Sequence, residues 1–382
     1  MADGLRDLFL LGDDVVYLNH GSFGACPRPV FDAYQRWQLE LERKPMDLLV
    51  RRFASEMAGA RRTLAEYVGA APDDLVYVSN ATTGLNTVAR SLTLEPGDEI
   101  LATDHEYGAL DRTWRFVCER RGARYVRAPV ETPVAQPDDV VDAVWSGVTE
   151  RTRVLFMSHI TAPTGIVFPV AELARRARER GILSVIDGAH APGQIPLDLE
   201  SLGADVYAGN CHKWMMAPKG AGFLHVRRGV QDLIEPLVIS WGWRSERPGP
   251  SRFIDRHEWQ GTRDISAYLT VPAAIGFMRK HDWPEVRARC HGRLSEVRER
   301  IVEEVGLEPI VGSEELFAQM TAFRLPPTES EAFQSRLLAE HAIEAPVIRF
   351  GDGAVLRLSV QGYNTTDDLD RFVGALRAML PR

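Results

Sequence analysis

Between residues 75 and 226 a short apolar run recurs seven times, at 75–78, 99–102, 123–126, 154–157, 183–186, 205–208 and 222–226. Helical spacing fills most of the gaps between them. Runs this short and apolar are expected as strands buried on both faces. Their alternation with helices is the signature of an α/β fold with a mostly parallel, doubly wound sheet. That organisation also says where to look for chemistry, because open α/β sheets bind ligands at the carboxyl ends of their strands.

The flanks read differently. A strand-like stretch at 15–18 precedes Asn19-His-Gly-Ser-Phe-Gly24, and helical patterns follow at 30–43 and 47–68, separated by Pro45. Beyond Arg228 come a loop rich in Trp, Arg, Gly and Pro at 240–250 and helical patterns at 265–281 and 283–305. Pro272 is expected to delay or kink the first of these. The tail reads strand, helix, strand, strand, helix (320–325, 329–341, 345–350, 355–360, 366–380), with Pro326-Pro327 as a turn. The expected division is an N-terminal arm at 1–30, a large α/β domain at 31–270 and a small C-terminal α+β domain at 271–382.

Composition narrows the partners. The 382 residues carry 45 Lys and Arg against 53 Asp and Glu, a formal charge of −8 spread without long like-charge blocks. This argues against nucleic acid or an anionic membrane surface as the main partner. No charged-then-apolar leader and no apolar run of spanning length is visible, so a cytoplasmic protein is expected. Cys26, Cys118, Cys211 and Cys290 are scattered and have no zinc spacing, so no metal is expected and reduced thiols are the default.

Two runs end in residues with a chemical use. One ends Val185-Ile-Asp187-Gly-Ala-His190, and 26 residues beyond the aspartate a second ends Asn210-Cys-His212-Lys213. Alone, Asp-Gly suits a turn and a lysine suits solvent. Together, both just past strand ends, they suit pyridoxal 5'-phosphate: the lysine forms a Schiff base with its aldehyde and the aspartate keeps its pyridine nitrogen protonated. Ala81-Thr82-Thr83-Gly84 follows a strand and opens a helix, where amides and hydroxyls suit a phosphate; N-capping by Thr82 or Thr83 is the alternative.

With these motifs the chain resembles the class V aminotransferase-type enzymes of fold type I, in the branch of isopenicillin N epimerase. The matching stretches are 19–24, Asn80-Ala-Thr-Thr-Gly-Leu-Asn86, Asp104-His-Glu-Tyr-Gly108, Asp187–His190, His212-Lys213, Gln260-Gly-Thr-Arg-Asp264 and Arg357-Leu-Ser-Val-Gln-Gly-Tyr-Asn364. The resemblance implies catalytic roles for Lys213, Asp187, His190 at the ring hydroxyl and His105 stacked on the ring, with Tyr107 competing for the stack. It implies phosphate contacts from Ala81, Thr82, Thr83, His212 and Asn210, where the family often has Ser, and from Thr262 of a neighbouring subunit. Arg357 resembles the arginine that grips a substrate carboxylate, and Asn19, His20, Ser22 and Tyr107 are expected at the substrate mouth. Trp241, Trp243 and Arg244 are expected either in a specificity lid or in a subunit interface.

The expected reaction is epimerisation or racemisation at the Cα of an amino acid or its conjugate, with Tyr107 or His20 returning the second proton. β-Elimination by a C–S lyase and transamination are the alternatives. Desulfuration is disfavoured because 341–357 contains no cysteine, and Cys211 reads as a packed thiol. A ligand-sensing module fits poorly, lacking a DNA-binding extension or basic stripe. A homodimer with active sites at its interface is implied.

Overall fold

The structure is a computed structural model describing residues 5–326 and 330–380; residues 1–4, Pro327 of the expected turn and residue 329 of the expected helix lie outside them. The strands are β1 (Val16–Tyr17), β2 (Leu75–Val78), β3 (Glu99–Thr103), β4 (Arg124–Ala128), β5 (Thr152–Ser158), β6 (Leu183–Gly188), β7 (Val206–Asn210), β8 (Gly222–Val226), β9 (Met320–Arg324), β10 (Ile343–Glu344), β11 (Val347–Phe350) and β12 (Gly353–Ser359). Each of the seven apolar runs is a strand of one sheet, in the order β2-β8-β7-β6-β5-β3-β4. Only β8 runs against the others.

The sheet separates two cores. Val76, Ile100, Phe156, Val185 and Leu224 point to one, where the helices Ala81–Ser91 and Gly108–Arg121 supply Leu85, Val88 and Trp114. Leu101, Leu155, Met157, Ile186 and Tyr207 point to the other. Alternation of side chains along each strand sends neighbours to opposite cores, so the sheet is doubly wound.

The expectation of burial on both faces fails at β4. Arg124 is exposed and the middle of the strand is half-buried at one edge of the sheet, where β4 pairs only with β3, whereas β2 at the other edge is buried throughout. The arginines of β4 keep its edge polar and discourage pairing with another chain. Pro272 does not delay its helix. The helix Ser266–Lys280 runs through it, packed against the helices Arg28–Arg43 and Phe53–Val68. Tertiary packing here outweighs the lost N–H and the local cost of proline.

A second sheet, β11-β12-β9, is antiparallel. β1 pairs in parallel with β10, Val16 opposite Ile343, and Leu18 accepts from Ser359 N–H at 3.0 Å. The start of the chain is thereby fastened to its C-terminal part, and Arg357 on β12 is carried to the carboxyl ends of the parallel strands.

Candidate active site

Asp187 stands near the end of β6 and Lys213 three residues past β7, its neighbour in the sheet. Lys213 Nζ lies 3.0 Å from His190 Nε2, while Trp214 Nε1 donates to His190 Nδ1 at 3.4 Å. An indole N–H can only donate, so Nδ1 must be the bare nitrogen and Nε2 carries the proton. The histidine therefore donates to the lysine, which requires an amine with its lone pair free. Burial, and then the charge of Arg357, hold Lys213 down at about 7, against the pull of Asp187. Burial and the neighbouring Lys213 keep His190 well below its ordinary value, hence neutral.

Asp187 is buried and raised to about 6, chiefly by that burial. Among the described residues its carboxylate takes one hydrogen bond, from Ala189 N–H to Oδ1 at 2.9 Å. The second oxygen awaits a donor. Buried carboxylates are normally satisfied, so the site wants an N–H or O–H there.

Arg357 poses the complementary problem. It is buried, yet among the described residues it has no carboxylate partner. Nη1 donates to the Ala162 carbonyl, and Nη2 to Ser22 Oγ at 2.8 Å and Asn19 Oδ1 at 3.3 Å, while Nε has no partner. Burial lowers its pKa to about 10, which still leaves it charged at neutral pH. A buried cation held only by neutral groups is a receptor for an anion.

The helix Ala81–Ser91 begins beside these groups. Its N-cap is Asn80, whose Oδ1 accepts from Thr83 N–H at 2.8 Å. Asn210 Oδ1 takes the Ala81 N–H at 2.8 Å. Neither threonine is the cap, and Asn210 and Ala81 satisfy each other instead of facing an open space. The Thr82 N–H and hydroxyl remain without partners among the described residues, at the positive end of the helix. His212 Nδ1 must donate to the Ala221 carbonyl at 3.0 Å, and its pKa is lowered to about 4 by burial. Its Nε2 is therefore bare, and donation to a phosphate requires a second proton. Thr262 is exposed on this chain.

Two expected roles do not match the geometry. His105 has no accessible surface: Nδ1 meets Thr164 Oγ1 at 2.9 Å, Nε2 meets the Val130 carbonyl at 3.0 Å, and Phe350 packs 4.6 Å from its ring. Neither face is free to stack on a ligand in this conformation, whereas Tyr107, the competing candidate, is 47% exposed. His20 is equally sealed. Its ring nitrogens face Tyr363 Oη and the Lys213 carbonyl, and burial lowers it to about 3, so it has neither the opening nor the proton to serve a substrate. Asn19 and Ser22 do lie at the site, through Arg357.

One buried acid was not anticipated. Glu106 accepts from Thr103 Oγ1 at 2.6 Å and Ser158 Oγ at 2.7 Å, and burial raises it to about 8, with Asp187 adding to the effect. In the sequence it is one charged residue between His105 and Tyr107, with no spacing to distinguish it.

The residues present fit pyridoxal phosphate: a neutral lysine amine, a buried carboxylate with an unpaired oxygen and a helix start with a free N–H. No cluster able to hold a metal and no helix long and apolar enough to cross a membrane occurs among the described residues. Comparison with known proteins agrees with this picture. Isopenicillin N epimerases from Amycolatopsis lactamdurans and Streptomyces clavuligerus are 39% and 38% identical to the chain, each alignment covering 98% of it and 97% of the relative. A probable chloroplastic L-cysteine desulfhydrase of Arabidopsis thaliana is 28% identical over 96% of the chain and 83% of its own length. Among solved structures, C-DES with glycine covalently linked to its PLP cofactor superposes with a TM-score of 0.87 at 23% identity, covering 97% of this chain and 98% of that one. The apo cysteine desulfurase of Thermococcus onnurineus NA1 gives 0.85 at 20% identity, covering 98% and 97%. These structures share the fold of the chain. The family model described as aminotransferase class-V matches residues 16–372, nearly the whole chain, and the protein belongs to that family.

Proposed function

We propose that the protein is a cytoplasmic, homodimeric pyridoxal-phosphate enzyme that epimerises or racemises the Cα of an amino acid or an amino-acid conjugate. The observation that carries this reading is the hydrogen bond from His190 to Lys213, which requires a neutral, nucleophilic amine beside a buried aspartate. Lys213 would hold the cofactor, Asp187 its pyridine nitrogen, His190 its ring hydroxyl, and Thr82, Thr83 and a doubly protonated His212 its phosphate, with Thr262 supplied by the partner subunit. When bound, the cofactor draws electrons from Cα and so acidifies the Cα–H bond.

The chain's own residues do the rest. Arg357 receives the α-carboxylate, and a two-point guanidinium grip fixes which bond at Cα stands ready to break. Lys213, a base with a pKa of about 7, takes the Cα proton from one face. Inversion requires a proton from the other face. His20 is sealed, so the exposed Tyr107 is the donor we assign, and the cofactor-facing stack falls to the same side chain's ring.

β-Elimination is the second reading, favoured by the relatives named as L-cysteine desulfhydrases. Candidate L-amino acids and cysteine conjugates incubated with holoenzyme in D2O separate the two by NMR. Cα deuteration with both configurations appearing supports epimerisation. Pyruvate or a released thiol, with retention of configuration in the remaining substrate, replaces it with the lyase.

A further inference from the structure

One short stretch, residues 19–24, touches both the Arg357 guanidinium and the backbone that carries Lys213. Asn19 Oδ1 and Ser22 Oγ accept from Arg357 Nη2 at 3.3 and 2.8 Å, and Ser22 Oγ donates to Asn19 Oδ1 at 2.5 Å. Between them His20 faces the opposite way. Its Nδ1 accepts from Ala25 N–H at 3.3 Å, so the proton sits on Nε2, which donates to the Lys213 carbonyl at 3.1 Å. Its ring lies 4.9 Å from that of Trp214.

Gly24 then passes directly against the lysine backbone. A Cβ there would lie 2.2 Å from the His212 carbonyl oxygen and 2.8 Å from that of Lys213, and the φ of +67° is one that L side chains rarely adopt. Lys219 Nζ donates to the Gly24 carbonyl at 2.8 Å, closing the turn onto the same loop.

We infer that this turn is the gauge that sets the Lys213 amine relative to the Arg357 guanidinium, with His20 as its positioning residue. The inference rests on the roles given to Lys213 and Arg357 in the proposed function. The amine and carboxylate of an α-amino acid are a fixed distance apart, so a site that grips one while working at the other must hold its own two groups at a matching distance. Misplacement by about 1 Å in such an arrangement costs on the order of a hundredfold in rate. His20 acts through the lysine backbone and touches no reacting atom.

The test reads the lysine itself, without turnover. Apoenzyme is labelled with methyl acetimidate across a pH series, and modification of Lys213 is followed by peptide mass spectrometry. The wild-type midpoint is expected near 7, where burial and Arg357 hold the amine. His20→Leu keeps bulk but loses the donor. The amine then drifts from Arg357 and gains water, and the midpoint rises by about one pH unit. His20→Gln, whose amide N–H reaches the same carbonyl, returns it to the wild-type value. Gly24→Ala displaces the lysine backbone by a separate route and raises the midpoint too, so a poorly folding His20 variant does not end the test. An unchanged midpoint in both His20→Leu and Gly24→Ala, with a lowered melting temperature, makes the turn a structural support and overturns the inference. A wild-type midpoint near 10 overturns the assignment of Lys213, and the inference with it.

Discussion

Burial and then repulsion from Arg357 hold the Lys213 amine down at about 7, against a weaker attraction from Asp187. The two charged neighbours can be removed singly. Asp187→Asn deletes the one neighbour that favours the ammonium, so the labelling midpoint is expected to fall below about 7 while turnover drops on the order of a hundredfold or more. A midpoint that rises would mean the aspartate is not felt by the amine. Arg357→Gln deletes a repulsion, so the midpoint is expected to rise, and KM for an α-carboxylate substrate is expected to increase on the order of a hundredfold. Stability carries the same sign logic. Because the folded state depresses this lysine, the unfolded chain binds more protons between about 7 and the ordinary 10.5, and the penalty is complete below 7 and fades as pH rises. Apo Lys213→Met is therefore expected to be more stable than wild type by roughly 2–4 kcal/mol at pH 7, allowing for partial exposure, with the gap closing toward pH 10. Denaturant midpoints at the two pH values check this. Asp187 and Lys213 are legible in the sequence because each closes an apolar run, and strand ends are where this architecture gathers its chemistry. His20 is not legible in the same way, since the carbonyl it holds lies 193 residues away. His105 misleads because a ring in the expected segment says nothing of which way it turns.

At the scale of elements, the sheet follows from local pattern, and its edges do not. The five interior strands and the edge strand β2 show the unbroken apolar runs that two covered faces demand, whereas β4, at the opposite edge, is partly exposed. The helix Arg252–Glu258 was also invisible, being seven residues long and too short for a clear period. What anchors it is an ion pair: Glu258 with Arg61 of the helix Phe53–Val68, both buried, with Arg61 Nε also donating to the Pro72 carbonyl at 3.1 Å. Breaking a buried pair from one side leaves an uncompensated charge. Arg61→Ala is expected to cost about 3–5 kcal/mol, seen in denaturant melts, and an Arg61→Met, Glu258→Met double variant to recover most of it. If the single variant costs less than about 1 kcal/mol, the pair is more hydrated than its burial indicates.

At the scale of the whole molecule, several large apolar side chains stand in solvent. Trp241 is 84% exposed, Ile239 in the same loop 62% and Phe23 68%; where such side chains form one patch they mark an interaction face. Thr262, expected to serve a phosphate, lies exposed on its own chain. A twofold dimer resolves both, if each chain lends Thr262 to the site built around its partner's lysine. Complementation decides this without an interface structure. Lys213→Ala removes the amine, and Thr262→Glu sets a negative charge against the phosphate, so each variant alone is expected to be inactive. In a mixed dimer, the site of the Thr262→Glu chain keeps its lysine and receives an intact threonine from the other subunit, while the second site carries both defects. Random exchange makes half of the dimers mixed, with one working site in two, so activity is expected to return to about a quarter of the wild-type level. If Thr262 served its own chain, no combination would hold an intact lysine and an intact threonine together, and the mixture would stay as inactive as its parents.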